Sequence, residues 1–253
     1  GRAAGSLVAV VFQPIPPRLS GVEITMFYDS DNQRSNADTK SLPFNPFKAL
    51  VAPRPIGWIS TVSEDGTVNL APYSYFQAVA DNPDIVLFSA TPSVMLKDGA
   101  VAFGADRKHS EGNAVASGEF VCNLVSYELR EAMNLTSAHL PAADSEVEHA
   151  GLTMAPSRRV KPPRVAGSPA ALECVVVGSM PVPRRGGTHR YQMVFGEVVG
   201  IHINDAFVRD GRVDSAAMKL VTRMGYDEYA VLESAFTMPR PDFDPILNGA
   251  LKR

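Results

Sequence analysis

The sequence lacks the patterns that mark several common classes of protein. Its 253 residues include two cysteines and one tryptophan, and 24 Lys and Arg are set against 27 Asp and Glu. Without a basic excess a nucleic-acid surface is not expected, because such a surface must neutralise phosphates. The longest apolar run near the N-terminus, Leu7–Phe12, is far shorter than the ~20 residues of a membrane-spanning helix. We therefore expect neither nucleic-acid binding nor membrane attachment.

Metal, thiol and nucleotide-loop chemistry are not indicated either. Cys122 and Cys174 lie in strand-like segments and form no CxxC pair, so they are predicted to be buried core thiols in a reducing cytoplasm. The five histidines show no HExxH or paired-ligand spacing, so no metal site is predicted. The absence of GxxxxGK[ST] and GxGxxG patterns argues against a Walker ATPase or a dinucleotide-binding Rossmann domain, and no GxSxG elbow is present.

The sequence does contain many short β-type segments joined by turns. Asp65-Gly66 and Asp210-Gly211 predict hairpin turns, the first between two clear strands. Further strands are predicted at Ile85–Ser89, at Glu119–Val125 and in the long runs ALECVVVGSMPV and RYQMVFGEVVGIHIN. This spacing favours a mainly β protein with a closed or partly closed barrel over a βαβ fold.

Helices are few in the predicted structure. One is expected at Glu111–Ser117, with Ser110 as its N-cap and Gly118 as its stop. A second, amphipathic helix is expected at Tyr127–Ala138.

The chain is expected to hold one principal domain. We assign residues 45–235 to this domain, with a long Pro- and charge-rich excursion at 139–170. Residues 1–44 form an N-terminal extension and polar loop, and residues 236–253 form a C-terminal tail. Because Met26 resembles a natural start, residues 1–25 are expected to be upstream sequence, or alternatively an arm that packs on a partner.

The segment Val68–Phe76, VNLAPYSYF, begins like a strand and then stops alternating. Pro72 is expected to end regular pairing because it lacks a backbone N–H. The hydroxyls of Tyr73, Ser74 and Tyr75, with exposed backbone N–H groups, could meet a flat polar ring. The alternative is a bulge whose aromatic residues belong to the core.

The segment Ala105–Asn113, ADRKHSEGN, places two cations before a helix. Arg107 and Lys108 precede Ser110, and a helix N-terminus with a hydroxyl and two cations can hold a phosphate. The alternative is a solvated basic turn with an ordinary helix cap.

Together these segments resemble a known family. APRPIGWISTVSEDGTVNLAPYSYF, DIVLFS, DRKHSEGNAVASGEFVCNL, FGEVVGIHIND and VTRMGYDEYA resemble, in this order, the flavin reductase-like family of FMN-binding split-barrel proteins. The resemblance covers roughly Asn45–Leu232 and implies a Greek-key-like split β-barrel with α+β decoration. Two patterns depart from the family: Lys108-His109-Ser110 stands for Lys-Asp-Thr, and Arg223-Met224-Gly225-Tyr226 stands for Arg-Leu-Gly-Gly.

The resemblance implies an FMN site. Asn69–Phe76 would lie along the flavin ring and ribityl chain with Trp58–Ser60 nearby, and the segment that starts at Arg107 would hold the phosphate. Arg223 would lie near the flavin or at a subunit boundary, with a surface salt bridge as the alternative. The implied cofactor-binding residues are Trp58, Ile59, Ser60, Asn69, Ala71, Pro72, Tyr73, Ser74, Tyr75, Phe76, Arg107, Lys108, Ser110, Asn113 and Arg223.

The same resemblance implies an FMN-dependent oxidoreductase, most simply an NAD(P)H:flavin reductase. NADH or NADPH would donate hydride, reduced flavin could pass to a separate monooxygenase component, and the protein would be a homodimer. No catalytic acid or base is required; His189 and His202 are candidates to touch nicotinamide or substrate, with structural roles as the alternative.

Two other functions stay open at the level of sequence. One is an FMN-bound oxygenase or reductase acting on its own organic substrate. In that case Arg158, Arg159, Lys161 and Arg164 could line a pocket for an acid, or could instead form a solvated basic loop. The other is a non-catalytic FMN-binding electron carrier. The choice of NADH or NADPH, and whether FMN stays bound or exchanges, also stays open.

Overall fold

The computed structural model describes residues 42–92, 94–97, 100–103, 109–138 and 145–239. The chain divides into two units, Gly1–Asn45 and Pro46–Arg253, and every element named below lies in the second. The helices are α1 (Phe47–Leu50), α2 (His109–Ser117), α3 (Arg130–Leu135) and α4 (Glu146–His149), with short 3₁₀ turns at Tyr127–Leu129 and Asp205–Phe207. The strands are β1 (Arg54–Pro55), β2 (Gly57–Val62), β3 (Val68–Tyr73), β4 (Phe76–Asp81), β5 (Asp84–Ala90), β6 (Val94–Lys97), β7 (Ala100–Phe103), β8 (Glu119–Asn123), β9 (Met154–Ala155), β10 (Arg164–Val165), β11 (Ala170–Arg184), β12 (Gly187–Ile203), β13 (Val208–Arg209), β14 (Arg212–Val213), β15 (Val221–Arg223) and β16 (Tyr229–Val231).

Seven strands form the main sheet, in the order β3-β2-β8-β11-β12-β5-β4, and every neighbouring pair is antiparallel. The predicted Asp65-Gly66 hairpin joins β2 to β3, and Asp65 stabilises the turn by accepting from the Thr67 backbone N–H at 3.0 Å. The smaller sheets are β1-β15-β16, β9-β10, β13-β14 and β6-β7.

The main sheet curls into a barrel around one core. Buried side chains from its central and outer strands meet in a single cluster, which includes Ile59, Phe88, Phe120, Cys174 and Val194. The rings of Phe88 and Phe120 lie edge to face with centroids 5.3 Å apart. The α2 helix adds Ala114 to this cluster. Both cysteines are buried and free, which confirms the predicted core thiols.

The two edges of the sheet meet at a seam that strand pairing does not close. β3 and β4 lie at opposite ends of the strand order, yet only Ser74 and Tyr75 separate them, a connection that can span at most about 11 Å. At the seam the Phe76 ring packs on Gly57, where a Cβ would lie 2.6 Å from a ring carbon. The barrel is therefore split between β3 and β4.

A second core lies on the outer face of β2 and β3. Trp58 and Leu70 pack there with Met133 of α3, Val147 of α4 and Val221 of β15. The fully buried Trp58 indole donates to the Thr136 hydroxyl at 2.8 Å, which satisfies its one polar atom.

The structure corrects three details of the predicted elements. β3 continues through Pro72 to Tyr73, because β3 is an edge strand and a missing N–H costs no ladder bond there. The α2 helix begins at His109, so Ser110 lies in its first turn rather than at the N-cap, whereas Gly118 ends the helix as predicted with φ +75°. The predicted helix at Tyr127–Ala138 is a 3₁₀ turn followed by the shorter α3.

The predicted excursion at 139–170 is ordered over its described part, residues 145–170. It contains α4 and the small β9-β10 sheet, and it packs against the outer face of the barrel, where Val160 joins Val121 and Ala171. Glu173 of β11 anchors this segment through three backbone N–H groups.

Candidate functional site

A group of polar side chains lies where the first turn of α2 meets the inner face of β3. The Asn69 side-chain amide donates to the Ser110 hydroxyl at 2.7 Å. Tyr73 lies four residues after Asn69 on the same face of β3, and its buried phenol lies close to Ser110. We call Thr61, Asn69, Tyr73, Ser110 and Asn113 the polar cluster.

Hairpin register explains why Thr61 belongs to the polar cluster. Thr61 of β2 pairs directly with Asn69 of β3, and its hydroxyl accepts from the Asn113 side-chain amide at 3.4 Å. Sequence reasoning missed Thr61, although counting back from the Asp65-Gly66 turn places it opposite Asn69. Sequence reasoning also missed Glu111, which is buried in the first turn of α2.

Burial sets the ionisation of the cluster's phenol. Removal from water raises the pKa of Tyr73 to about 12, against a smaller lowering by the neighbouring Ser110 hydroxyl. Tyr73 therefore stays neutral at physiological pH and acts as a hydrogen-bonding group, not as a base.

The polar cluster borders a strand edge that can still pair. Within the described residues β3 pairs with β2 alone, so its second backbone edge faces away from the sheet. The edge runs into Ser74 and Tyr75, both partly exposed. Tyr75 is held in place because its carbonyl accepts from the Ser89 N–H at 2.8 Å and its ring meets Tyr191 edge on at 6.0 Å.

Comparison with known proteins identifies the family. A family model described as "flavin reductase like domain" matches residues 50–216, which is more than half of the chain. The chain belongs to the flavin reductase-like family. Among curated proteins it is similar to uncharacterized protein BH2278 of Halalkalibacterium halodurans, with 35% identity over 191 residues that cover 76% of this chain and 87% of the relative.

Solved structures similar to this flavin reductase-like chain include two that it matches over their full length. Nitrilotriacetate monooxygenase component B from Bacillus cereus shares 29% identity with a TM-score of 0.67, over 79% of this chain and 100% of the other. A Shewanella frigidimarina protein described as a flavin reductase with a split barrel domain shares 22% identity with a TM-score of 0.70, over 86% of this chain and 100% of the other. The predicted split-barrel fold is confirmed.

The residues around α2 and β3 are chemically suited to a flavin mononucleotide. An unpaired strand edge offers backbone donors and acceptors to a planar ring with polar edges, and the neighbouring hydroxyls and amides suit a ribityl chain. Arg107 and Lys108, the predicted phosphate ligands, lie outside the described residues. Ser110 and Asn113, predicted with them, both belong to the polar cluster.

Several predicted ligands use their side chains to hold the fold. Trp58 and Ile59 are fully buried in the two cores. The buried Ser60 hydroxyl donates to the Pro163 carbonyl at 2.5 Å. Tyr73 and Phe76 also pack in the barrel core, as the alternative reading of this segment expected. Ala71 and Pro72 are partly buried, so along β3 the backbone edge is what remains available to a ligand.

Arg223 is not in contact with the polar cluster. Its guanidinium donates to the Tyr229 hydroxyl and the Tyr226 carbonyl and lies 3.5 Å from the Asp227 carboxylate, all within the β15-β16 hairpin. These contacts are those expected of the alternative, a surface salt bridge. The guanidinium also lines a cleft between α3 and the β15-β16 hairpin.

Of the two candidate histidines, the structure describes the side-chain contacts of His202 only. His202 of β12 pairs with the buried Glu173 on the outer face of the barrel, which is a structural role. The side chain of His189 lies outside the described residues.

The basic residues of the excursion differ in their exposure. Arg158, Arg159 and Lys161 are exposed, as a solvated basic loop would be. Arg164 lines a small cavity of about 250 Å³ together with His202 and Asn204.

The described residues hold neither a metal-ligand group nor a membrane-spanning helix. They contain no group of three or more His, Cys, Asp or Glu side chains placed to hold a metal ion. Likewise, none of the helices described is long and apolar enough to cross a membrane.

Proposed function

We propose that the protein is an FMN-dependent oxidoreductase, most simply an NAD(P)H:flavin reductase. The observation that carries this proposal is the polar cluster at the first turn of α2 beside the unpaired edge of β3, in a chain of the flavin reductase-like family.

Each part of this region has a role in the proposal. The β3 edge and Ser74 present backbone groups to the polar edge of the flavin ring. Asn69, Ser110 and Asn113 orient the ribityl chain and phosphate, with Arg107 and Lys108 neutralising the phosphate charge. FMN supplies the hydride chemistry when it is bound, so the protein's task is to bind, orient and shield the cofactor.

Three associated properties belong to the same proposal. A separate oxygenase that accepts reduced flavin is supported by the similarity to a protein named as a monooxygenase component. A homodimer is supported by exposed apolar side chains on the two longest strands, β11 and β12. A cytoplasmic location is supported by two buried free thiols.

Anaerobic stopped-flow absorbance tests the reaction. The FMN-loaded protein is mixed with NADH or with NADPH, and we expect at least one of them to bleach the flavin band within seconds. If dithionite bleaches the flavin and neither nicotinamide does so within many minutes, the reductase proposal fails. The electron-carrier function, or a dedicated organic substrate, would then replace it.

Two alanine variants test the binding site. Ser110→Ala and Asn69→Ala should each weaken FMN binding by about 1–2 kcal/mol, because each removes a buried polar group beside the proposed cofactor. Ser117→Ala is the matched control, since this serine is the last residue of α2 and is exposed. Its hydroxyl donates to the Asn113 backbone carbonyl at 2.7 Å.

Unfolding of the apo variants, measured in parallel, separates lost binding from lost folding. Equal FMN affinity in Ser110→Ala, Asn69→Ala and Ser117→Ala would contradict the proposed site.

A further inference from the structure

A cleft of about 490 Å³ lies between α3 with its preceding 3₁₀ turn and the β15-β16 hairpin. This volume falls in the range of small-molecule sites. Met133 and Val221 give the cleft an apolar lining, and both belong to the second core, so their positions are fixed by packing. The cleft contains no residue of the polar cluster.

Two stacked arginine–tyrosine pairs occupy opposite walls of this cleft. The Arg130 guanidinium carbon lies 3.9 Å from the centre of the Tyr127 ring, and that of Arg223 lies 4.5 Å from the centre of the Tyr229 ring. Stacking on a tyrosine holds a guanidinium flat and oriented, so less side-chain freedom is lost when a ligand binds. The cleft therefore has two cations held in place before any ligand arrives.

The two arginines differ in the donors that they can still offer. Arg223 uses both terminal nitrogens within its own hairpin, where they meet Tyr229 and Tyr226. Arg130 donates from Nη1 to the Tyr127 carbonyl at 2.8 Å, and its Nε lies 3.4 Å from Glu131. The Nη2 group of Arg130 makes no hydrogen bond or ion pair with the residues that the structure describes. Arg130 can thus donate to an anion, while Arg223 adds a fixed positive charge.

The acidic residues of the cleft restrict the charge of a ligand. Glu131 and Asp227 are among the lining residues, but both carboxylates project into solvent, where water and salt screen them. A dianion such as phosphate would be repelled by these two acids more strongly than a monoanion.

We propose that this cleft is a binding site for a small aromatic carboxylate. The ring packs against Met133, Val221 and a guanidinium face, and the carboxylate accepts hydrogen bonds from Arg130. The site is separate from the proposed FMN site, because none of the residues that line the cleft belongs to the polar cluster.

Isothermal titration with benzoate tests the proposal on the full chain, both without FMN and loaded with FMN. We expect benzoate to bind both forms. Arg130→Gln should weaken benzoate binding by about tenfold or more through loss of a charge-assisted hydrogen bond, with FMN affinity unchanged. Arg130→Lys should also bind benzoate more weakly, because it keeps the charge and loses the planar stack.

The matched control is Arg209→Gln, an exposed arginine 3.7 Å from Asp214 and outside the cleft, which should bind benzoate like the unaltered protein. Benzyl alcohol tests the need for charge, and acetate, a carboxylate of the same charge without a ring, tests the need for a ring; both should bind much more weakly than benzoate. The proposal is overturned if benzoate does not bind at millimolar concentration. It is also overturned if Arg130→Gln binds benzoate as well as the control does, or if either comparison probe binds as tightly as benzoate.

Discussion

At the scale of the single residue, Glu173 shows how one buried charge can order a long segment. Its carboxylate accepts from the backbone N–H groups of Arg158 at 2.8 Å, Arg159 at 2.6 Å and Val160 at 3.2 Å. His202 completes the set of partners. Since the side chain is fully buried, every partner is needed to offset the loss of hydration.

Replacing Glu173 by Gln should destabilise the protein by about 3 kcal/mol, because three N–H groups lose their charged acceptor. Burial raises the pKa of Glu173, but the hydrogen bonds from Arg158, His202 and Arg159 outweigh it and bring the pKa below its ordinary value of 4.5. A lowered folded-state pKa gives stability that is present above pH 4.5 and is lost as pH falls through the folded pKa.

Urea unfolding from pH 7 down to pH 3 measures both effects. The stability difference between the unaltered protein and Glu173→Gln should shrink at the acid end. Glu64→Gln, at an exposed turn position, should change stability by less than about 0.5 kcal/mol. A constant difference across this pH range would contradict the assignment.

At the scale of the element, the long β11-β12 hairpin depends on a glycine that faces the barrel core. Gly196 of β12 lies against Phe120 of β8, and an added Cβ would come within 2.4 Å of a ring carbon. The Phe120 ring is fully buried and packed edge to face on Phe88, so it cannot move aside at little cost.

Gly196→Ala should therefore lower the free energy of unfolding by about 1–3 kcal/mol through overpacking. Gly178→Ala, in the paired strand β11, is the control because its Cβ would meet nothing within 4 Å. Chemical denaturation of both variants checks the prediction, which is wrong if the two are equally stable.

At the scale of the whole molecule, apolar side chains remain exposed on the barrel's longest strands. They are Val175, Val177 and Met180 of β11 and Val199 and Ile201 of β12. Exposed apolar groups that concentrate on one pair of strands are typical of an interaction surface. A second copy of the chain is the occupant that we proposed above.

Light scattering during size-exclusion chromatography should give a dimer at micromolar concentration. Val177→Glu, at a side chain 53% exposed, should weaken the dimer by tenfold or more because it buries a charge. Val208→Glu in the separate β13-β14 hairpin, 40% exposed, should leave the dimer intact. A monomeric unaltered protein with FMN bound would refute the dimer.

Local sequence patterns were sufficient to predict the hairpins and to recognise the ordered motifs of the family. Asp65-Gly66 and Asp210-Gly211 set turns through backbone preferences that neighbouring residues alone determine, and both hairpins are present. Gly118 ends α2 for the same local reason. The predicted strand at Glu119–Val125 appears as β8, two residues shorter.

The sequence by itself therefore determined the β-rich class, the family and the segments around the candidate site. Only the tertiary structure decided which residues of those segments face a ligand and which face a core. Trp58 and Ser60 read like neighbours of a cofactor, but the layer formed by α3 and the excursion covers them. The turn could place Thr61 opposite Asn69, but only the packing of α2 brings Asn113 beside it. Arg130 gave no local signal, because it acquires its role from residues brought beside it by helix packing. Such contacts join distant parts of the chain, and they depend on how the curled sheet and its outer layer bring those parts together rather than on any short pattern.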